Sequence, residues 1–238
     1  EGFRPNRDLI LLFTADEEYS GGNVDWLLKE HRPLIDAAFA LNTDAGQVDL
    51  LPDGRPEAFG LQTAEKIYAS FALEASSPGG HSSRPGPDNA IYKVARALAR
   101  VEQHRFPRDL NETAQVYFER WARLAPPELA PGARALGEGR LDDPAIALVE
   151  QSPYFNALFH TTCVATQLRA GSAENALPER ARAVVNCRIL PQSSPAAVET
   201  VLRDLVAADG VTVAPVAPAP MGPPSPLDPQ VLGPVEAV

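Results

Sequence analysis

Three consecutive carboxylates, Asp16, Glu17 and Glu18, stand at the end of an apolar run in the stretch LLFTADEEYSGG, residues 11–22. Adjacent carboxylates repel one another, so unless all three lie in water a positive charge belongs between them, and a metal ion is one candidate. A solvated acidic turn after a strand has the same local pattern. Asp44 follows a second apolar run, AAFALN, residues 37–42. His81 comes directly after Gly79 and Gly80 in SPGGHSSRPGPDNAI, where backbone without Cβ atoms can approach a ligand closely. Ser82 and Ser83 lack the GxSxG turn of an exposed nucleophile, which leaves them turn or capping roles. His31 and His104 lie near expected helix ends and His160 precedes an expected strand, so none of the three is assigned to metal.

The elements around these residues set where they can meet. Residues 8–13, DLILLF, form a short continuous apolar run of the kind found in a strand buried on both faces of a parallel sheet. Residues 23–31 carry Val24, Leu27 and Leu28 at helical spacing, and the run 37–42 follows, which reads as strand, helix, strand. Ligands bind outside the carboxyl ends of parallel strands, and there Glu17, Glu18 and Asp44 would converge. After residue 63 the pattern changes to one-sided strands. Residues 66–75 alternate, with Ile67, Ala69, Phe71, Leu73 and Ala75 on one face. A helix is expected from Asn89 with Asp88 as its cap and an apolar stripe of Ile91, Val94, Ala95, Leu98 and Val101. Residues 163–170 and 180–190 read as a strand pair. A further helix is capped by Ser194, enters through Pro195, turns Val198, Val201, Leu202 and Leu205 inward and stops at Gly210, before a last strand over 211–216. The order β-α-β-β-α-β is that of the ferredoxin-like split βαβ, interrupted by a helical insert over 106–158 whose clearest piece is NETAQVYFERWARL. The Pro-rich run 217–229 reads as a linker.

Composition narrows the function. A length of 238 residues with 45% hydrophobic and 22% charged content allows one large domain or two with a sizeable core. A net charge of −10 argues against a general binder of nucleic-acid backbone. No window approaches the roughly 20 apolar residues of a membrane span. Cys163 and Cys187 are too few for a disulfide scaffold and fit no zinc pattern, so their pairing and the compartment stay open. The chain starts without Met and stops at DPQVLGPVEAV, just inside an expected helix start, and it is read as a fragment.

TADEEYSGG and NTDAG, each after a strand, SPGGHSSRPGPDNAI entering a helix, and GSAENALPERARAVVNCRILP across a strand turn together resemble the two-metal peptidases and amidohydrolases. That family includes aminoacylase, carnosinase, glutamate carboxypeptidase and succinyl-diaminopimelate desuccinylase. The resemblance spans nearly the whole chain. It implies an α/β catalytic domain, partial here and built on a mostly parallel sheet, over 1–62. It also implies an inserted α+β ferredoxin-like lid or dimerisation domain over 63–217, with 218–238 leading back to the catalytic domain. By resemblance Glu17 is the general base, Glu18 and Asp44 are ligands of two divalent ions, with zinc expected, and Asp16 is a structural or supporting acid. His81 reaches the partner subunit's site to stabilise the substrate carbonyl or its oxyanion, while Asn175 and Arg188 hold the substrate's carboxylate. The implied activity is hydrolysis of peptide or N-acyl amino-acid amide bonds by a homodimer joined through the lid; the charge and the apolar windows add the expectation of no nucleic acid or membrane partner. The family's His-x-Asp pair and bridging Asp are expected before residue 1 and its last His after residue 238, so the fragment alone is expected to be a poor enzyme. A second reading makes the chain a non-catalytic dimerisation or interaction module with a degenerate catalytic remnant.

Overall fold

The computed structural model describes residue 2 and residues 4–15, 22–43, 46–50, 52–54 and 56–236. The chain divides into two compact units, 1–61 and 62–238. In the first, the expected helix forms as α1, Gly22–Glu30, followed by the short α2, Arg32–Ile35. Strand β1, Gly46–Leu50, pairs with β2, Pro56–Leu61, as an antiparallel hairpin. The two apolar runs expected as parallel strands are not strands. Residues 8–13 and 37–42 have no regular structure, and Leu11 and Phe13 are 84% and 89% exposed. A strand buried on both faces needs neighbours to take up its N–H and C=O groups. Among the described residues no strand lies beside either run, and every strand pairing is antiparallel. The mostly parallel sheet expected for this part of the chain is therefore absent among them.

The second unit carries the core. Strand β3, Ile67–Ser76, leads through the two-residue β4, Gly80–His81, to α3, Ala90–Gln103. Four short helices follow: α4, Glu112–Trp121; α5, Ala130–Gly137; α6, Ile146–Val149; and α7, Pro153–Phe159. Then come β5, Thr162–Ala170, the short β6, Ala176–Leu177, and β7, Arg180–Ile189. Helix α8, Pro195–Val206, and β8, Thr212–Pro215, complete the sheet, and α9, Pro229–Glu236, ends the described chain.

The sheet runs β5-β7-β3-β8 with every neighbour antiparallel. Strands β3 and β5 thus run parallel with β7 between them, which is the split βαβ arrangement. The alternation read in 66–75 holds: Ile67, Ala69, Phe71, Leu73 and Ala75 are buried with Val185 and Ile189, under Val94 and Val101 of α3 and Val198, Leu202 and Val206 of α8. The cap of α3 differs from expectation. Asn89 Oδ1 accepts from the N–H of Ile91 and Tyr92, whereas Asp88 is drawn 2.6 Å from Lys93 Nζ. The stripe of α3 is also rotated, because Ala90 and Ala97 are buried while Ile91 is exposed. Helix α8 follows its sequence signals: Ser194 Oγ accepts from Ala197 N, and Gly210 takes φ 65° at the stop.

Helices α4 to α7 form the insert and bury their own cluster around Phe118, Leu136, Ile146, Val149 and Phe159. Gly137 permits its close packing, since a Cβ there would lie 2.7 Å from the backbone of Glu119. Polar contacts tie the two ends of the insert to each other. Arg108 donates to both carboxylate oxygens of Glu150 at 2.7 and 2.8 Å, and His160 Nε2 lies 2.9 Å from the same carboxylate. Cys163 and Cys187 face each other across β5 and β7 and form a disulfide. Residues 218–228 lack regular structure, and Ser225 N donates to Thr63 O at 2.7 Å. No helix among the described residues is long and apolar enough to cross a membrane.

Candidate functional site

His81 is held by a two-strand ribbon. Strand β4 pairs with β6 so that His81 faces Ala176 and Gly80 faces Leu177, and Ser82 N donates to Asn175 O at 2.9 Å. The ribbon depends on the glycine pair. Gly79 and Gly80 take φ 72° and 138°, and a Cβ on Gly79 would meet Glu179 Cγ at 2.8 Å. Ser77 anchors its base, donating from Oγ to Pro178 O at 2.6 Å and accepting from Ala90 N, the first residue of α3. The His81 ring is oriented by the residues after it. Ser83 N lies 3.2 Å and Ser83 Oγ 2.8 Å from His81 Nδ1. A backbone N–H can only donate, so Nδ1 accepts and the neutral ring carries its proton on Nε2, free to donate. Ser82 and Ser83 thus serve the turn, as their sequence context suggested.

Asn175 therefore comes to His81, but Arg188 does not. Arg188 sits in register with Tyr68 on β3 and Thr162 on β5, on the sheet face away from the helices, with its guanidinium 4.6 Å from the Tyr68 ring centre. The ribbon leaves the sheet beside Arg180, at the other end of β7. Eight residues of strand at about 3.3 Å each put Arg188 roughly 26 Å away. Among the described residues no carboxylate is paired with Arg188.

Lys66, which the sequence reading did not single out, lies beside Arg188. Its Nζ donates to Ala157 O at 3.0 Å, His160 O at 2.7 Å and Thr162 Oγ1 at 3.4 Å. Burial and then the Arg188 charge lower its pKa to about 8. Glu150 is held below the usual carboxylate range chiefly by its hydrogen bonds from Arg108, which is raised in turn. Both groups could have been seen only as polar residues at strand or helix ends, because what gives them meaning is the pairing register. The remaining candidates, Glu17, Glu18 and Asp44, lie outside the described residues, as does Asp16. Among the described residues no three His, Cys, Asp or Glu side chains gather where they could hold a metal ion.

The family model described as the peptidase dimerisation domain matches residues 63–213. The chain belongs to that family. The matched region contains β3, β5 and β7 of the sheet, the first two residues of β8, the insert and the His81 ribbon. Over its wider length the chain is 30% identical across 202 residues to "Probable carboxypeptidase S-like 2" of Dictyostelium discoideum, covering 82% of this chain and 38% of that protein. It is 27% identical across 236 residues to the N-fatty-acyl-amino acid synthase/hydrolase of Mus musculus, covering 97% of this chain and 46% of that protein. The chain thus spans less than half the length of either relative. Among solved structures, an M20 family metallo-carboxypeptidase from Sulfolobus solfataricus matches 69% of this chain and 47% of its own at 20% identity and a TM-score of 0.42.

Proposed function

We propose that the protein is a metal-dependent hydrolase of peptide or N-acyl amino-acid amide bonds that works as a homodimer through its dimerisation domain. Glu18 and Asp44 contribute ligands for two divalent ions, with zinc expected, which when bound supply polarisation of the scissile carbonyl and acidification of a water. Glu17 takes that water's proton and returns it to the leaving amine. His81 donates from Nε2 to the carbonyl oxygen as it becomes an oxyanion. Arg188 receives the substrate's free carboxylate with its two-pronged guanidinium. Residues 63–217 act as the lid and 218–238 lead back to the catalytic domain.

The observation that carries this reading is the separation of His81 from Arg188. Residues at opposite ends of one sheet cannot grip one small substrate, whereas two copies related by a two-fold axis can offer His81 and Asn175 from one chain to a substrate held by the other. Strand β5 supports such pairing. It is an edge of the sheet, with Val164 and Leu168 each 59% exposed. The relatives named for carboxypeptidase and N-fatty-acyl-amino acid hydrolase activity favour substrates with a terminal carboxylate.

The test mixes full-length His81→Ala with full-length Glu17→Gln under conditions of subunit exchange, verified by pull-down of tagged chains. Each variant alone is expected to be nearly inactive. Random assortment makes about half the dimers mixed, each with one intact site, so recovery near a quarter of wild-type activity is expected. Verified mixed dimers without recovered activity would show that His81 does not serve the partner.

A further inference from the structure

Among the described residues Lys66 and Arg188 form a pair of cations with no carboxylate paired to either. Lys66 precedes β3 by one residue and shares the face of Tyr68 by strand alternation. Its ammonium nevertheless reaches Thr162 Oγ1 on β5, two strands away, at 3.4 Å. Strand β7 lies between, and in the row that joins Tyr68 to Thr162 its residue is Arg188. To span that distance the Lys66 side chain must run across β7 alongside Arg188. The ammonium is fixed there by the carbonyls of Ala157 and His160 near the end of α7, so all three of its N–H groups are engaged by neutral oxygens. The other charged groups nearby are committed elsewhere. The His160 ring lies against Glu150 and Phe106 O, and Glu150 is held by Arg108. Glu65 adjoins Lys66 in the chain, and Arg188 is the one charged side chain that acts on it appreciably among the described residues. A cavity of about 440 Å³ opens beside Lys66 and Tyr68, walled also by Thr63 and by Pro220, Gly222 and Pro223.

We propose that Lys66 is a positioning residue for the substrate carboxylate: its fixed ammonium adds a second positive charge to the Arg188 site without touching the substrate, and its deprotonation weakens the binding of substrates that end in a free carboxylate. This rests on the reading that Arg188 receives that carboxylate. Two cations pressed together without an anion repel, and a carboxylate bound by Arg188 offsets the repulsion, so binding and the protonation of Lys66 reinforce each other. The lowered pKa of about 8 places the loss of this charge just above neutral pH. Lys66 also fastens the insert to the sheet, and a purely structural role would affect charged and neutral substrates alike.

The experiment compares an N-acyl amino acid with its C-terminal carboxamide on the full-length, metal-loaded enzyme. The ratio of their kcat/KM values cancels every group that acts on both. In wild type that ratio is expected to fall about tenfold between pH 7 and pH 9.5, the size expected for one charge at several ångströms under partial screening, with the change in KM. Lys66→Met should start about tenfold low at pH 7 and stay flat, and Lys66→Arg should restore the ratio and hold it to pH 9.5. A wild-type ratio that does not fall above pH 8, or equal losses for both substrates in Lys66→Met, overturns the proposal; the first needs no variant to fold. Arg188→Met separates the two layers. Collapse of the ratio in Arg188→Met with an intact ratio in Lys66→Met sinks the role of Lys66 alone. An intact ratio in Arg188→Met removes the carboxylate site and the inference together.

Discussion

At the scale of single residues, the proposed chemistry divides between two neighbouring glutamates and one oriented histidine. Neighbouring side chains on one chain point in different directions, so Glu17 and Glu18 can take different tasks. Full-length Glu17→Gln is expected to lose turnover by at least a hundredfold while its metal content stays near wild type, because a general base contributes about that much and an amide keeps the shape. Glu18→Ala is expected to do the reverse and deplete metal. Metal analysis beside steady-state kinetics checks both, and loss of metal in Glu17→Gln would mean that the two assignments are exchanged. His81 shows how much a local sequence can specify: the Gly79-Gly80 pair supplies backbone shapes that other residues resist, and Ser83 sets which ring nitrogen is left to donate. Its partner Asn175 lies 94 positions on and is brought to it by the pairing of His81 with Ala176 and by the hydrogen bond from Ser82 N to Asn175 O.

At the scale of elements, the insert and the sheet are separate cores, and ionic contacts hold the insert's two ends together. Phe118 and its neighbours pack without any residue of the sheet's cluster. Arg108, Glu150 and His160 then fasten the insert's ends, with Glu150 three-quarters buried beside Arg108. The pKa of Glu150 is lowered in the folded chain from a reference of 4.5, so the unfolded chain binds its proton first. Its contribution is therefore present in full above about pH 4.5 and is lost as pH falls through the lower folded value. Glu150→Gln is expected to cost about 1–3 kcal/mol at pH 7, since it leaves a partly buried guanidinium without its counter-charge, and to lessen the acid sensitivity below about pH 4.5. Urea unfolding followed by Trp121 fluorescence in a Trp26→Phe background measures both. An unchanged slope of stability against pH in that range would assign the acid sensitivity to other groups.

At the scale of the whole molecule, all the buried residues among those described belong to the second unit, and its edge strand is fastened covalently. The Cys163–Cys187 link closes a loop of 24 residues that contains β6 and the Asn175 turn, and such closure is worth about 3 kcal/mol by chain entropy. Cys163→Ser combined with Cys187→Ala is expected to lower stability by that order and to remove any effect of reductant on the urea midpoint. A midpoint insensitive to reductant in the wild-type chain would show that the pair does not stabilise the fold.

The sequence by itself determined the elements whose signals are local. The alternation of 66–75, the Ser194-Pro195 start and Gly210 stop of α8, and the separate helical insert all follow from periodicity and capping within a few residues of each other. Where a signal depended on partners, tertiary structure decided. The runs 8–13 and 37–42 are apolar enough for buried strands, yet a strand exists only when another chain segment takes its hydrogen bonds, and among the described residues none does. The choice of Asn89 over Asp88 as cap turned on the competing pull of Lys93 one turn away. Above all, Asn175 and Arg188 are close in sequence and share a motif, but one lies in the turn before β6 and the other near the far end of β7. An extended strand converts each residue of separation into about 3.3 Å, so nearness along the chain became distance in the fold, while Lys66 and Arg188, 122 positions apart, became neighbours through antiparallel pairing.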